Sequence, residues 1–277
     1  MMVKMNKTFA LLGASKTGIA LAHHLEKAGL EPVFLWNRSS KGIQNARNYI
    51  CFRQNSADLS QIPPDIEWII IAVKDDAIEE VAKQLLGVLK NGDGKKVFHT
   101  SGAWDSKLLK PLQKKGYRTG SFHPLISIPD IETGIRIIPG SVFSCEGGIQ
   151  DDLLNLARLI GVTGIALDSE QKETVHLGSV FVNNYVTVMI QALKQLARAK
   201  GISDDTLKQL LERLSEQAFD NAWKKSLKDS LSGPAVRGDE KTIQKHRKIL
   251  ESSPELKKLY DRFLALTRQL LVEEKKP

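Results

Sequence analysis

The feature that most constrains the fold is a short apolar run, Phe9-Ala10-Leu11-Leu12, that stops abruptly at a glycine. Gly13-Ala14-Ser15-Lys16-Thr17-Gly18 follows, after which Ile19, Leu21, Ala22 and Leu25 recur on one helical face. A buried strand, a tight glycine turn and a helix start aim backbone N–H groups and the positive end of a helix dipole at one point, which suits a phosphate. The spacing is that of G-x-G-x-x-G with Ser15 in the middle, where glycine normally lets a pyrophosphate come close. The serine Cβ lengthens that approach, and its hydroxyl can donate to phosphate. Ile19-Ala20 stand where a P-loop requires Lys-Ser/Thr, which argues against a P-loop. The plainer alternative is an ordinary strand–helix turn.

The end of the second strand, Pro32 to Trp36, selects the dinucleotide. A fold that prefers NAD carries a carboxylate there for the ribose 2′-hydroxyl, but this chain has Asn37-Arg38-Ser39. Arg38 can pair with a 2′-phosphate, Ser39 can hydrogen-bond it, and Lys16 adds positive charge. The expected cofactor is NADP, bound by Gly13, Ser15, Lys16, Thr17, Gly18, Asn37, Arg38, Ser39 and Val73. The competing reading of Arg38 is a solvated surface charge.

The first half of the chain alternates strands with helices. Trp68-Ile69-Ile70-Ile71-Ala72-Val73 is β-branched and short, a central parallel strand. A helix is expected over 78–89, a turn at 91–94, a strand over 97–99, a helix over 108–115 and a strand near 117–121. Residues 135–167 read as two short strands, a helix from Asp151 to Leu159 and a final strand. The expectation is an α/β fold, a Rossmann-type doubly wound parallel sheet covered on both faces. After Asp168 the strand signals stop. Helices are expected over 174–200, from Asp204 or Asp205 to Trp223, from an Asp239 cap to about Leu250, and from Pro254 to about Glu273, with a loop over 226–238. The organisation expected is thus a dinucleotide-binding domain over 1–168 and a helical substrate and dimerisation domain over 169–277.

Composition narrows the partners. The chain has 277 residues, 42% hydrophobic and 26% charged, as in ordinary soluble proteins. No apolar run approaches the roughly 20 residues that span a bilayer. The first seven residues lack an apolar signal core, which points to the cytoplasm. Residues 273–277 are expected to fray. Cys51 and Cys145 are too few for a disulfide framework and read as reduced thiols. The net charge of +8 comes from basic residues interspersed with acidic ones, without an aromatic-basic motif. That argues against nucleic acid and for attraction of an anionic cofactor or substrate.

Ligands of such sheets lie beyond the carboxyl ends of the strands. Thr100 and Ser101 follow one strand and either contact substrate or cap a turn. His123 stands at another strand end, held extended by Pro124, and is either a buried structural histidine or a proton donor. Lys74 and Asp76 read as a helix start. On the long helix His176, Asn183 and Thr187 share a face by helical spacing, with Asn184 nearby. His176 is a second candidate proton donor, and Asn183 a substrate contact. Arg237 either binds a substrate carboxylate or is a solvated charge. His23, His24 and His246 lie elsewhere, and no metal-ligand spacing is present.

Several stretches stand in a telling order: the glycine turn, Ile71-Ala72-Val73-Lys74-Asp75-Asp76, His99-Thr100-Ser101-Gly102, Phe122-His123-Pro124-Leu125, the helix of His176 to Asn184, and Leu231-Ser232-Gly233-Pro234 leading to Arg237-Gly238-Asp239. Together they resemble, over nearly the whole chain, the bacterial family that joins a Rossmann-like domain to the helical domain of unknown function DUF2520. That family is similar to NADP/F420-dependent oxidoreductases, pyrroline-5-carboxylate reductases and β-hydroxyacid dehydrogenases. The resemblance implies NADP, a helical domain like the C-terminal domain of 6-phosphogluconate dehydrogenase, and a homodimer built through it. β-Hydroxyacid dehydrogenases carry a catalytic lysine three residues before an Asn-Asn pair. Matching that pair to Asn183-Asn184 puts Val180 at the lysine position, so that mechanism does not carry over. The leading expectation is an NADP-dependent oxidoreductase acting on a small C=O or C=N substrate in an interdomain cleft. The alternatives are a non-catalytic NADP-responsive regulator and, on the same fold, an F420 enzyme.

Overall fold

The computed structural model of the chain describes residues 7–89 and 91–274. The expectations for the first six residues and for 275–277 lie outside the described residues. The chain divides into two compact units, 1–183 and 184–277.

The first unit is built on an eight-stranded sheet: β1 (Thr8–Leu12), β2 (Glu31–Trp36), β3 (Gln54–Ser56), β4 (Trp68–Ile71), β5 (Lys96–His99), β6 (Arg118–Pro124), β7 (Val142–Gly147) and β8 (Thr163–Ala166). The order is β3-β2-β1-β4-β5-β6-β7-β8. Every pairing is parallel except β6 with β7, which is antiparallel. The order reverses at β1 and β4, the switch point where such sheets bind ligands.

Alternation along the strands feeds two cores. Phe9 and Leu11 of β1 enter one with Ile70, Phe98 and Phe122, while Ala10 and Leu12 enter the other with Ile69, Ile71 and Val97. Because both faces are covered, the central strands read as unbroken apolar runs. Helices α1 (Lys16–Lys27) and α2 (Ser40–Arg47) follow β1 and β2. The 3₁₀ turn 75–77 and α3 (Ile78–Val88) follow β4, and the 3₁₀ turn 106–109 and α4 (Lys110–Gln113) follow β5. Next come α5 (Ile131–Ile137), α6 (Gln150–Leu159) and α7 (Ser169–Ser179).

The expectation for 135–167 needs one correction. Its first strand is part of helix α5, capped by Asp130, whose carboxylate accepts from the Thr133 amide at 2.7 Å. Ile135-Arg136-Ile137-Ile138 has strand-like composition. Tertiary packing overrides it: Gly134 lets α5 lie so close to α1 that a Cβ there would stand 2.9 Å from the Ala20 Cβ. His24 of α1 seals this contact with a ring nitrogen 2.8 Å from the Ile135 carbonyl.

The long helix of the second half starts earlier than expected. Asp168 caps α7 in a reciprocal capping box with Gln171. A π-helical segment, 180–185, joins α7 to α8 (Val186–Arg198). The second unit continues with α9 (Asp204–Lys224), α10 (Leu227–Ser230), α11 (Pro234–Arg237), α12 (Glu240–Ile249) and α13 (Pro254–Glu273). Ser203, rather than Asp204 or Asp205, caps α9, and the loop expected at 226–238 contains α10 and α11. Asp239 caps α12 as expected, and α13 starts at Pro254 without a side-chain bond from Ser253. Among the described residues no helix is long and apolar enough to cross a membrane.

Candidate functional site: a phosphate cradle and a histidine pair

The turn after β1 has the geometry of an anion cradle. Gly13 has φ +104°, and a Cβ on it would stand 2.5 Å from the Ala72 carbonyl oxygen, so only glycine fits. Gly18 lies so near β4 that its Cβ would meet the Ala72 Cβ at 2.5 Å. Ser15 caps α1, its hydroxyl oxygen accepting from the Gly18 amide at 3.0 Å. That oxygen keeps its own proton free to donate. The Gly13 amide is used by the Trp36 carbonyl and the Ala14 amide by Asn37 Oδ1. The amides of Ser15, Lys16 and Thr17 have no acceptor among the described residues. Three successive N–H groups at a helix start, with the dipole behind them, are what a pyrophosphate needs.

Asn37 joins this loop to the end of β2. Its amide nitrogen donates to the Ser39 carbonyl at 3.0 Å and to Ser39 Oγ at 3.2 Å. Ser39 Oγ caps α2 by accepting from the Gly42 amide. Asn37 and Ser39 thus shape the strand end, and Arg38 between them is exposed and in no ion pair among the described residues. Lys16 donates to the Pro129 carbonyl and so reaches the loop between β6 and α5. This donor set, with open amides and an unengaged guanidinium, fits a nicotinamide dinucleotide.

The second cluster lies past β5 and β6. His99 is fully buried. Its Nδ1 accepts from the Ser101 amide at 3.3 Å and its Nε2 faces the Asp105 carbonyl at 3.0 Å, so the proton sits on Nε2. Burial lowers its pKa to about 4, and the ring is neutral. His123 shows the opposite tautomer. Its Nδ1 lies 2.9 Å from the Thr100 carbonyl and must carry the proton, which leaves Nε2 as an acceptor. Burial likewise lowers His123 to about 4. His176 of α7 crosses His123 edge to face, centroids 5.8 Å apart, and its buried Nδ1 has no partner. A Cβ on Gly102 would stand 2.5 Å from both His123 Nε2 and His176 Nδ1. Both rings therefore pack so closely on the Gly102 backbone that only glycine fits there.

Lys172, one turn before His176, is only 2% exposed. Its ammonium donates to the carbonyls of Ser101 and Gly102, each at 2.8 Å, and to that of Trp104. Three acceptors require three N–H groups, so this geometry belongs to the protonated amine. Burial lowers its pKa to about 8, against the pull of Glu146, Asp105 and Asp75. Glu146 accepts from the Ser106 amide at 2.7 Å and the Ser106 hydroxyl at 2.9 Å. Lys172 thus pins loop 101–104 to the helix that carries His176. Among the described residues no group of three or more His, Cys, Asp or Glu could hold a metal ion.

A family model for a Rossmann-like domain matches residues 4–124, and the model for the domain of unknown function DUF2520 matches residues 142–267. The chain is a Rossmann-like plus DUF2520 protein. No curated protein matches it in sequence. Among solved structures it is similar to BF3122 of Bacteroides fragilis, described as an NADP oxidoreductase (20% identity, TM-score 0.76, covering 95% of this chain and 98% of that one). It is similar to TM1727 of Thermotoga maritima (23%, 0.69, 97% and 100%). A third is the reductive aminase of Aspergillus terreus in complex with NADPH and ethyl-5-oxohexanoate (14%, 0.71, 97% and 95%). These likenesses show a shared fold.

Within the Rossmann-like domain the glycine turn, Val73, Asn37, Arg38 and Ser39 all lie at the switch-point end of the sheet. Val73 Cγ1 stands 2.6 Å from where a Gly13 Cβ would be. Thr100 presents its carbonyl to His123. The Ser101 hydroxyl turns back to accept from the Trp104 amide at 3.3 Å. Within the DUF2520 match, His176 joins His123. Asn183 lies in the π-helical segment, whose extra residue per turn breaks the α-helical spacing that aligned it with His176 and Thr187. Arg237 lies on α11 in the second unit, its guanidinium donating to the Ser232 carbonyl. Lys172 and Glu146 were not singled out by the sequence, and His99 and Gly102 stood only within a stretch that carried the resemblance. Lys172 follows Glu170-Gln171 and reads as one more solvated charge, and only the fold turns it inward.

Proposed function

We propose that this protein is an NADP-dependent oxidoreductase that transfers hydride to or from a small C=O or C=N substrate. The observation that carries the reading is the row of open amides at Ser15, Lys16 and Thr17 beside the unengaged Arg38. Bound nicotinamide supplies the redox chemistry. The chain's own residues do the rest. Ser15, Lys16 and Thr17 hold the pyrophosphate, Gly13 and Gly18 allow it close, and Arg38 with Ser39 selects the 2′-phosphate. His123 and His176 form the polar end of the substrate site beyond the strands, with Lys172 and Thr100 fixing their surroundings. Asn183 and Arg237 remain candidate substrate contacts. The described relatives that bind NADPH or are described as NADP oxidoreductases support the choice of cofactor.

The test is a fluorescence titration with NADPH and NADH. NADPH is expected to bind more tightly, and Arg38→Glu to weaken NADPH by about 2 kcal/mol, or roughly thirtyfold, with little effect on NADH. Equal affinities for the two cofactors in the unaltered protein reject the NADP assignment.

The regulatory alternative is favoured by one observation. All three protons of Lys172 are held by carbonyls, so the amine does not serve as a proton donor. Hydride transfer from bound NADPH to any member of a carbonyl and imine panel decides between the readings. We further propose a homodimer formed through the second unit, supported by the bare apolar flanks of α9.

A further inference from the structure

Loop 101–104 is arranged around a positive charge, and that arrangement reaches His123. We propose that this loop is a site for a primary ammonium, which the chain fills with its own Lys172, and that the captive charge holds His123 in its Nδ1–H tautomer. Lys172 is thereby a positioning residue that acts on His123 through the loop. Its bearing on turnover rests on the oxidoreductase reading; the ammonium site does not.

The argument starts from the carbonyls of the loop. Those of Ser101, Gly102 and Trp104 turn their oxygens to one point, where the Lys172 ammonium meets them, the first two at 2.8 Å. Carbonyl dipoles that face one another repel, and buried acceptors without a donor are costly. A rim of backbone carbonyls is how a protein replaces the water around a small cation. A neutral side chain of the same length fills the space but leaves the dipoles opposed. The loop therefore keeps this shape only around a cation. Burial disfavours the ammonium, and carboxylates offset that cost: Glu146 on β7, itself 4% exposed, then Asp105 at the end of the loop, Asp75 after β4 and Glu173 on α7. The remaining titratable groups facing it are the neutral rings of His99 and His123.

The same loop touches His123 on two sides. The Thr100 carbonyl accepts from Nδ1 at 2.9 Å. The next two carbonyls, of Ser101 and Gly102, are ones the ammonium holds, so the peptides after Thr100 are kept from turning. Gly102 packs against the other nitrogen, since its Cβ would stand 2.5 Å from Nε2. Lys172 and His176 lie one turn apart on α7, so one helical face brings the cation to the loop and the second ring to His123. Without the charge the opposed peptides rotate apart, the Thr100 carbonyl loses its aim, and the Nε2–H tautomer of His123 becomes accessible.

The test is made on the full chain labelled with ¹⁵N-histidine. Lys172→Ala deletes the side chain beyond Cβ, and propylammonium returns the same atoms as a separate molecule. The His123 ring signals of the variant are expected to leave the Nδ1–H pattern, and to return to it with propylammonium but not with propanol. A second measurement needs no variant to fold. Raising the pH of the unaltered protein through the Lys172 ionisation at about 8 leaves two N–H groups for three carbonyls, and is expected to shift the same signals. His123 titrates near 4 and is itself neutral throughout that range. The step is expected to be absent from Lys172→Met. NADPH affinity is followed to show that each variant is folded. An unchanged pattern in Lys172→Ala, a changed one that propylammonium leaves unrestored or propanol restores equally, or no step in the unaltered protein overturns the proposal. Turnover of the carbonyl or imine that the unaltered protein reduces is expected to fall about a hundredfold in Lys172→Ala and to recover with propylammonium. If no carbonyl or imine is reduced, the oxidoreductase reading falls, and the ammonium site is decided by the ring signals alone.

Discussion

Single residues set the acid limit of this protein. His99 and His123 both titrate near 4 in the fold, against an unfolded value of 6.5, because burial penalises the charged ring. Between those values the unfolded chain binds more protons than the folded one. Stability is therefore fully present above about pH 6.5 and falls as the pH drops towards 4. The expected loss is about 3 kcal/mol per histidine, measured by denaturant unfolding at several pH values. His123→Leu should remove its share of that slope; an unchanged slope refutes the assignment. Lys172 acts by position. Replacing it with Met leaves three buried carbonyls without their donor and Glu146 without its cation. The expected cost at pH 7 is about 3 kcal/mol, read from the same unfolding curves. A midpoint equal to that of the unaltered protein argues that the loop is held by other contacts.

At the scale of elements, glycines decide how closely helices approach the sheet. Gly18→Ala places a methyl 2.5 Å from the Ala72 Cβ. The helix-propensity gain is below about 1 kcal/mol, whereas overpacking costs roughly 1–3, so the clash wins and the protein is destabilised. Gly178→Ala in α7 meets nothing within 4 Å and is expected to stabilise by up to about 1 kcal/mol. Opposite shifts in thermal midpoint check both together. Elements also mark where sequence reading succeeds. β1, α1 and β4 were legible because unbroken apolar runs and a glycine turn leave few other ways to fold. β3, Gln-Asn-Ser, was not, since a polar edge strand has no alternation to read. α5 was misread because Ile135, Ile137 and Ile138 look like a strand, and only the Asp130 cap and the groove on α1 make them helical. The π segment was hidden because one extra residue in a helical turn changes no composition.

At the scale of the molecule, α9 is the clearest unfinished surface. It has no buried residue over its 21 positions. Leu210 and Leu214 lie on one flank, 66% and 60% exposed, and Phe219 and Trp223 on the opposite one, 61% and 77% exposed. So many large apolar side chains in water are unfavourable and mark an association surface. A dimer is expected in sedimentation equilibrium, with Leu210→Glu and Trp223→Lys together shifting it to monomer. A monomeric unaltered protein refutes the homodimer.

The sequence by itself determined the cradle. Gly13, Ser15 and Gly18 sit at fixed short distances along the chain, and local geometry is enough to aim their amides at one point, while the pairing of β1 with β2 brings the Arg38 segment alongside. Only the tertiary structure decided the second cluster. Gly102, His123 and the α7 pair Lys172 and His176 come from three separate segments, and the protonation of His123 and Lys172 depends on which carbonyls the fold brings to them. His123 and His176 were visible as candidates, His123 as either a buried structural histidine or a proton donor, but not their protonation. The Thr100 carbonyl, brought alongside by the pairing of β5 with β6, makes the free nitrogen of His123 an acceptor. Burial and tautomer arise from packing between distant segments, and no periodicity in the chain encodes them.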